Sequence, residues 1–151
     1  MIAPTLIFWV FALVDMVIAV SCATTAVLRV RRGDVEGHVR MMVTAQLAIG
    51  VFLAAYLAKV VLVGHEDLTR WGAQALLHLR VHEVAVSGML GGGVIAASVG
   101  WRVRRAVREQ GSAGRAIRGL HRGAGWLTLA CAWMGVVTAA FVFSHLALGE
   151  D

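Results

Sequence analysis

The sequence predicts an all-α integral membrane protein, a four-helix bundle forming a single domain over residues 1–151. Three observations carry that prediction. Of 151 residues, 59% are apolar and only one is proline, and the mean hydropathy is +0.76. A water-soluble domain of this size has too little interior to hide so much apolar surface. Four stretches, Thr5–Leu28, Met41–Val63, Leu76–Gly100 and Trp126–Leu148, each supply the roughly 20 apolar residues that a tilted helix needs to cross about 30 Å of hydrocarbon. The strict alternation of β-barrel strands is missing.

Span one carries Trp9 near one end, Asp15 about mid-membrane and Cys22 further on. Ala19-Val20-Ser21-Cys22 faintly resembles a lipoprotein cleavage site, but no basic region precedes it and the apolar run is long for a signal sequence. The span is expected to be retained. Span two opens after Gly37-His38-Val39-Arg40 and holds Tyr56 and Lys59, the one lysine, before His65. Span three begins around His78 and His82, four residues apart and therefore on one helical face. Its Gly88 and Gly92, extended by Ser87 and Gly91, give a small face suited to close helix packing or, less readily, to a flat cofactor. Span four opens after Leu120-His121-Arg122, contains Cys131 and finishes near His145. The similar openings of spans two and four raise the idea of a duplicated two-helix unit. Neither cysteine belongs to a CxxC pair, so both are expected to be packing residues.

Charge orients the spans. Arg29, Arg31, Arg32 and Arg40 fill the first loop, and Arg102, Arg104, Arg105, Arg108, Arg115, Arg118 and Arg122 the third. The second loop has only Arg70 and Arg80 beside Glu66 and Asp67, and the tail ends Glu150-Asp151. The positive-inside rule then puts the first and third loops in the cytoplasm, with both termini outside. Anionic headgroups answer the net charge of +5. No stacking surface accompanies the arginines, so nucleic acid is not expected as a partner. A P-loop, HExxH and GxSxG are all absent, and Gly91-Gly92-Gly93 lies inside an apolar span.

The candidate chemistry lies in six histidines, all at or near span ends. Imidazole is the usual protein ligand for haem and for many transition metals. By depth, His38 with His121 is a candidate haem pair at the inner end, and His82 with His65 or His145 at the outer end. Copper or another metal is the alternative, on His78, His82 and a third outer ligand from His65 or His145. Against both stands the plain reading of interfacial, helix-capping histidines. His82 and His121 are the leading candidates because each adjoins a long apolar run. Asp15 in mid-membrane costs roughly 2.5–3.5 kcal/mol unless partnered. An Asp15–Lys59–Tyr56 network is expected either to join the first two helices or to relay protons.

Several short motifs, His38 with Met41-Met42, Phe52 and Tyr56, His82-Glu83-Val84-Ala85-Val86, His121-Arg122, Gly125-Trp126 and Trp133-Met134-Gly135, together resemble the YozB-like family of small bacterial four-helix membrane proteins, including the CtaM-type factors. The resemblance covers roughly Gly37–Leu148; span one matches only in character. It implies an accessory or assembly role for an aerobic haem-copper oxidase of a bacterial inner membrane, through haem or copper handling; on the reading of the residues themselves, His82 and His121 are the expected ligands, with His38 and His78 supporting. The extra His65, His78 and His145 and the long Arg-rich third loop depart from that pattern. A b-type electron-transfer cytochrome, a membrane redox enzyme and a structural subunit are the rival functions. A lipid bilayer and a membrane-protein partner are expected, and a homo-oligomer is compatible with the sequence.

Overall fold

The computed structural model describes the backbone of residues 3–65 and 68–148, and side chains between residues 6 and 145 except 66, 67 and 70. Glu66, Asp67, Glu150 and Asp151, which entered the charge argument, lie outside the described residues. The described chain is helical: α1 (Ala3–Arg31), α2 (Val35–Val63), a short 3-10 turn (Leu68–Arg70), α3 (Ala73–Gln110) and α4 (Arg115–Leu148). All four long helices are long and apolar enough to cross a bilayer. Little of their apolar surface is covered by the chain itself. Only 6% of the most apolar window of α2 is buried, and Leu62, Val61 and Val84 are more than 70% exposed. Such surface is stable against hydrocarbon and costly against water.

The helices overrun the spans read from hydropathy. At 1.5 Å per residue, the 38 residues of α3 and 34 of α4 reach roughly 57 and 51 Å, well beyond a core of about 30 Å. The Arg-rich third loop is therefore mostly helix. Arg102, Arg104, Arg105 and Arg108 ride on the end of α3, and Arg115, Arg118 and Arg122 on the start of α4, leaving Gly111–Gly114 as the turn. Arginine is a good helix former, so nothing in this segment stops α3 before Gly111, whose φ of +73° suits glycine. Arg105 Nε donates to Glu109 Oε1 at 2.8 Å, one turn along.

The chain packs as two compact units. One comprises Met1–Val81 with Val136–Asp151, the other His82–Gly135. In the first, α1 and α2 form an antiparallel hairpin turned at Gly33 (φ +82°). Asp34 caps α2, accepting from the Gly37 N–H at 2.7 Å and from Arg29 Nη1 at 2.8 Å. The Gly37 N–H first and the Arg29 hydrogen bond next, with weaker Coulomb attraction from Arg29 and Arg40, hold the Asp34 carboxyl below its ordinary range, against an opposing desolvation effect. A side chain at residue 37 would meet Asp34 and stand 2.7 Å from Arg29 Nη1, so this turn requires glycine there.

In the second unit, α3 and α4 run antiparallel through a seam of small residues. Ala85, Gly92 and Ala96 on α3, and Ala124, Ala132 and Gly135 on α4, are buried. A Cβ on Gly88 would lie 2.8 Å from Cys131 Sγ, and one on Gly92 would lie 2.7 Å from Thr128 Oγ1. The Gly88–Gly92 face therefore serves helix packing, and Cys131 is part of it. Glycine allows the two backbones to approach where any side chain would push them apart.

Candidate functional site

Three of the six histidines share one arrangement. His38 on α2 bonds the carbonyl oxygen of Ala26 on α1 through Nδ1 at 3.0 Å. His82 on α3 bonds the Gly135 carbonyl on α4 through Nδ1 at 3.1 Å, and His121 on α4 bonds the Ala96 carbonyl on α3 through Nδ1 at 2.9 Å. A carbonyl oxygen only accepts, so Nδ1 carries the proton in each ring. In a neutral imidazole the lone pair then belongs to Nε2. This is the orientation that metal- and haem-ligating histidines take when a main-chain carbonyl holds the far nitrogen and raises the basicity of the near one.

Small residues make these reaches across the helix pair feasible. Ala26 is fully buried and Ala96 nearly so, so each imidazole approaches a carbonyl over a methyl group only. Beside His121, a Cβ on Gly100 would stand 2.9 Å from Cε1. Gly100 continues the four-residue spacing of Gly88, Gly92 and Ala96. It was legible as an extension of that face, although its role toward His121 was not.

His82 and His121 do not meet. Their carbonyl partners show that His82 is level with Gly135 and His121 with Ala96. The 14 residues from 82 to 96 along α3 correspond to roughly 21 Å. The two rings thus belong to separate sites at opposite ends of the α3–α4 contact, as their assignment to different depths required.

The outer histidines divide. His78 stacks on Phe141 (ring centres 4.9 Å apart, planes 18° apart) and on His145 (5.7 Å, 29°). His65 lies exposed just past the end of α2. Among the described residues no group of three or more His, Cys, Asp or Glu side chains gathers to hold a metal ion. His82 Nδ1 is engaged by the Gly135 carbonyl within its own compact unit.

The expected Asp15–Lys59–Tyr56 network is not formed, for a reason of register. Ala26 is level with His38, and Phe8 packs 6.3 Å from Tyr56, each 18 residues further along its helix. Tyr56 is therefore seven residues from the level of Asp15, and Lys59 ten residues, roughly 15 Å. Lys59 Nζ donates to the Gly64 carbonyl at 2.8 Å, satisfying the end of its own helix. Tyr56 stacks with Phe52 at 6.1 Å. Asp15 is buried, and its Oδ2 has no hydrogen-bond partner among the described residues.

Comparison with protein-family models, curated proteins and solved structures found no match to this chain.

Proposed function

We propose that this is a multi-pass bacterial inner-membrane protein that holds haem, with a transition metal as the alternative, through His82 and His121, with His38 in a supporting site. The observation that carries this reading is the shared Nδ1–H to carbonyl bond of the three imidazoles. It presents Nε2 of each ring as the basic nitrogen and fixes the ring against rotation, which lowers the entropy lost on ligation. The residues present therefore fit a haem or metal ligand role. Haem, when bound, supplies an iron that accepts and donates one electron. The chain's own part is to orient the imidazoles and to keep the site in an apolar, lipid-covered surround.

The resemblance to the YozB-like family extends this to a role in assembling or supporting an aerobic haem-copper oxidase, by retaining the cofactor and handing it to that partner. The arginine-bearing ends of α3 and α4 then face the cytoplasm, and both termini face outward. No covalent catalysis by the chain is required.

The test is an absorption spectrum and haem assay of the full-length protein purified in mild detergent, together with the membrane proteins that co-purify. A reducible Soret band and a co-purifying oxidase support the reading. Stoichiometric haem without such a partner favours an electron-transfer cytochrome. Tight co-purification of a partner without any cofactor leaves a structural subunit.

A further inference from the structure

We propose that one face of α4, carrying Arg115, Arg118, Arg122 and Trp126, binds a single anionic phospholipid and holds it by the headgroup phosphate. The proposal rests on the membrane reading and not on haem, because none of these four side chains is a proposed haem ligand.

Three observations converge on it. The arginines follow one another at intervals of three and four residues, so the helix gathers them within roughly 60° of arc. Trp126 comes one turn after Arg122 on that face, and exposed Trp133 and Val137 continue it. Guanidinium, indole and apolar strip thus follow the order of phosphate, ester and acyl chain in a phospholipid. Secondly, all three arginines are exposed, and among the described residues no carboxylate pairs with any of them. Glu109, the nearest carboxylate along the chain, is already bonded to Arg105. Thirdly, the bond from His121 to Ala96 sets the register of α4 against α3 and puts Arg122 level with Ile95. There α3 is still apolar: Val94 and Ile95 are 68% and 47% exposed, and the run closes only at exposed Trp101. Arg122 therefore lies about six residues, roughly 9 Å, inside the level of Trp101. A guanidinium at that depth is stable when it carries an anion with it. That sets this face apart from the arginines further out, which headgroups neutralise collectively.

The chemistry selects the lipid class. A guanidinium fork pairs two N–H donors with two phosphate oxygens, and Arg118 and Arg122, one turn apart, grip one phosphodiester from adjacent sides. Arg115 adds positive charge where the rest of the headgroup lies. A zwitterionic headgroup would bring its ammonium against that charge, whereas an anionic one meets no repulsion. The Trp126 ring suits the ester layer beneath the phosphate. Binding consists of charge-assisted hydrogen bonds and apolar contact, and no covalent bond is made or broken.

The experiment titrates the full-length protein in neutral detergent with phosphatidylglycerol, phosphatidylcholine or inorganic phosphate, and counts bound lipid by native mass spectrometry. The first phosphatidylglycerol is expected to bind at least about tenfold more tightly than phosphatidylcholine, and a millimolar excess of inorganic phosphate to leave it in place. Arg118→Gln and Arg122→Gln should each weaken it about fivefold, the worth of one arginine at an anionic surface, while Arg108→Gln near the α3–α4 turn retains it. Circular dichroism checks folding, and if one of the two inner variants fails to fold, the other decides. Equal affinity for the two lipids, displacement by phosphate, or the same loss in Arg108→Gln as in Arg122→Gln overturns the proposal. A chain that stays monodisperse without detergent would defeat the membrane reading, and this site with it.

Discussion

Gly100 stands where any larger residue would strike His121: a Cβ there would lie 2.9 Å from the imidazole Cε1. That ring is simultaneously held by the Ala96 carbonyl at 2.9 Å, so it has no unhindered direction in which to yield. Gly100→Val is expected to displace His121 and destabilise the α3–α4 contact by about 1–3 kcal/mol, the usual cost of overpacking. Thermal unfolding in detergent checks the stability. Haem content checks whether the displaced ring still binds. A variant as stable as wild type and fully loaded would show that the close approach carries no weight.

The Gly88–Cys131 contact gives a prediction with a built-in control. Gly88→Ala places a methyl 2.8 Å from Cys131 Sγ, while the next atom, Cys131 Cβ, is a comfortable 3.7 Å away. The single change should therefore destabilise, and Cys131→Ala in the same chain should restore most of the loss. Double-mutant analysis should yield a coupling of about 0.5–3 kcal/mol, as for residues in contact. Additive effects would mean that the two do not touch.

Asp34 predicts an acid dependence of the α1–α2 hairpin. Its folded-state pKa lies below the ordinary value of 3.8, chiefly through the Gly37 N–H and next through Arg29. A depressed carboxyl contributes stability that is complete above that ordinary value and is lost as pH falls through the lower, folded-state pKa. Asp34→Asn keeps a capping oxygen but removes the charge. The thermal midpoints of wild type and variant should differ at neutral pH and converge as pH falls below the folded-state pKa. A gap that is constant over that range would contradict the assignment.

Asp15 is buried without a partner for Oδ2 among the described residues, which makes it a liability in the hairpin as it stands. Asp15→Leu, close in volume and apolar, is expected to stabilise the protein by about 1–3 kcal/mol, the cost of an unsatisfied buried polar group. Chemical unfolding in detergent measures it. A destabilised variant would reveal that the carboxyl is bonded after all and would revive a relay or joining role.

The helices were legible because hydrophobic length is a strong signal, and their ends were not. Hydropathy placed the end of span three at Gly100, yet α3 continues to Gln110 through four arginines. Apolarity marks where lipid is, whereas helix continuation depends on propensity and on the next glycine. The depths of the histidines could likewise be read, but their partners could not. Ala26, Ala96 and Gly135 contribute carbonyl oxygens, which every residue has, so no side-chain pattern announces them. The Asp15–Lys59 pairing failed for a related reason. Sequence gives the depth of each residue only approximately, and the register of α1 against α2 places them roughly 15 Å apart along the axis.

The pairing of His78 with His145 across α3 and α4 was also only half visible. Both were candidate metal ligands, but His82, four residues from His78, looked like the natural companion. The structure turns His82 to Gly135 and leaves His78 against Phe141 and His145. Both neighbours meet α4, and which of its groups each one meets depends on packing.

The central claim is that a carbonyl-held imidazole at each end of the α3–α4 contact serves as a ligand. The most direct measurement is haem-to-protein stoichiometry, by pyridine haemochrome, in wild type, His82→Ala and His121→Ala purified from membranes under identical conditions. Each variant should insert into the membrane as wild type does and lose most of the haem at its own site, with stability falling only by about 0.5–1.5 kcal/mol for the lost hydrogen bond. Haem stoichiometry equal to wild type in both variants would contradict the account.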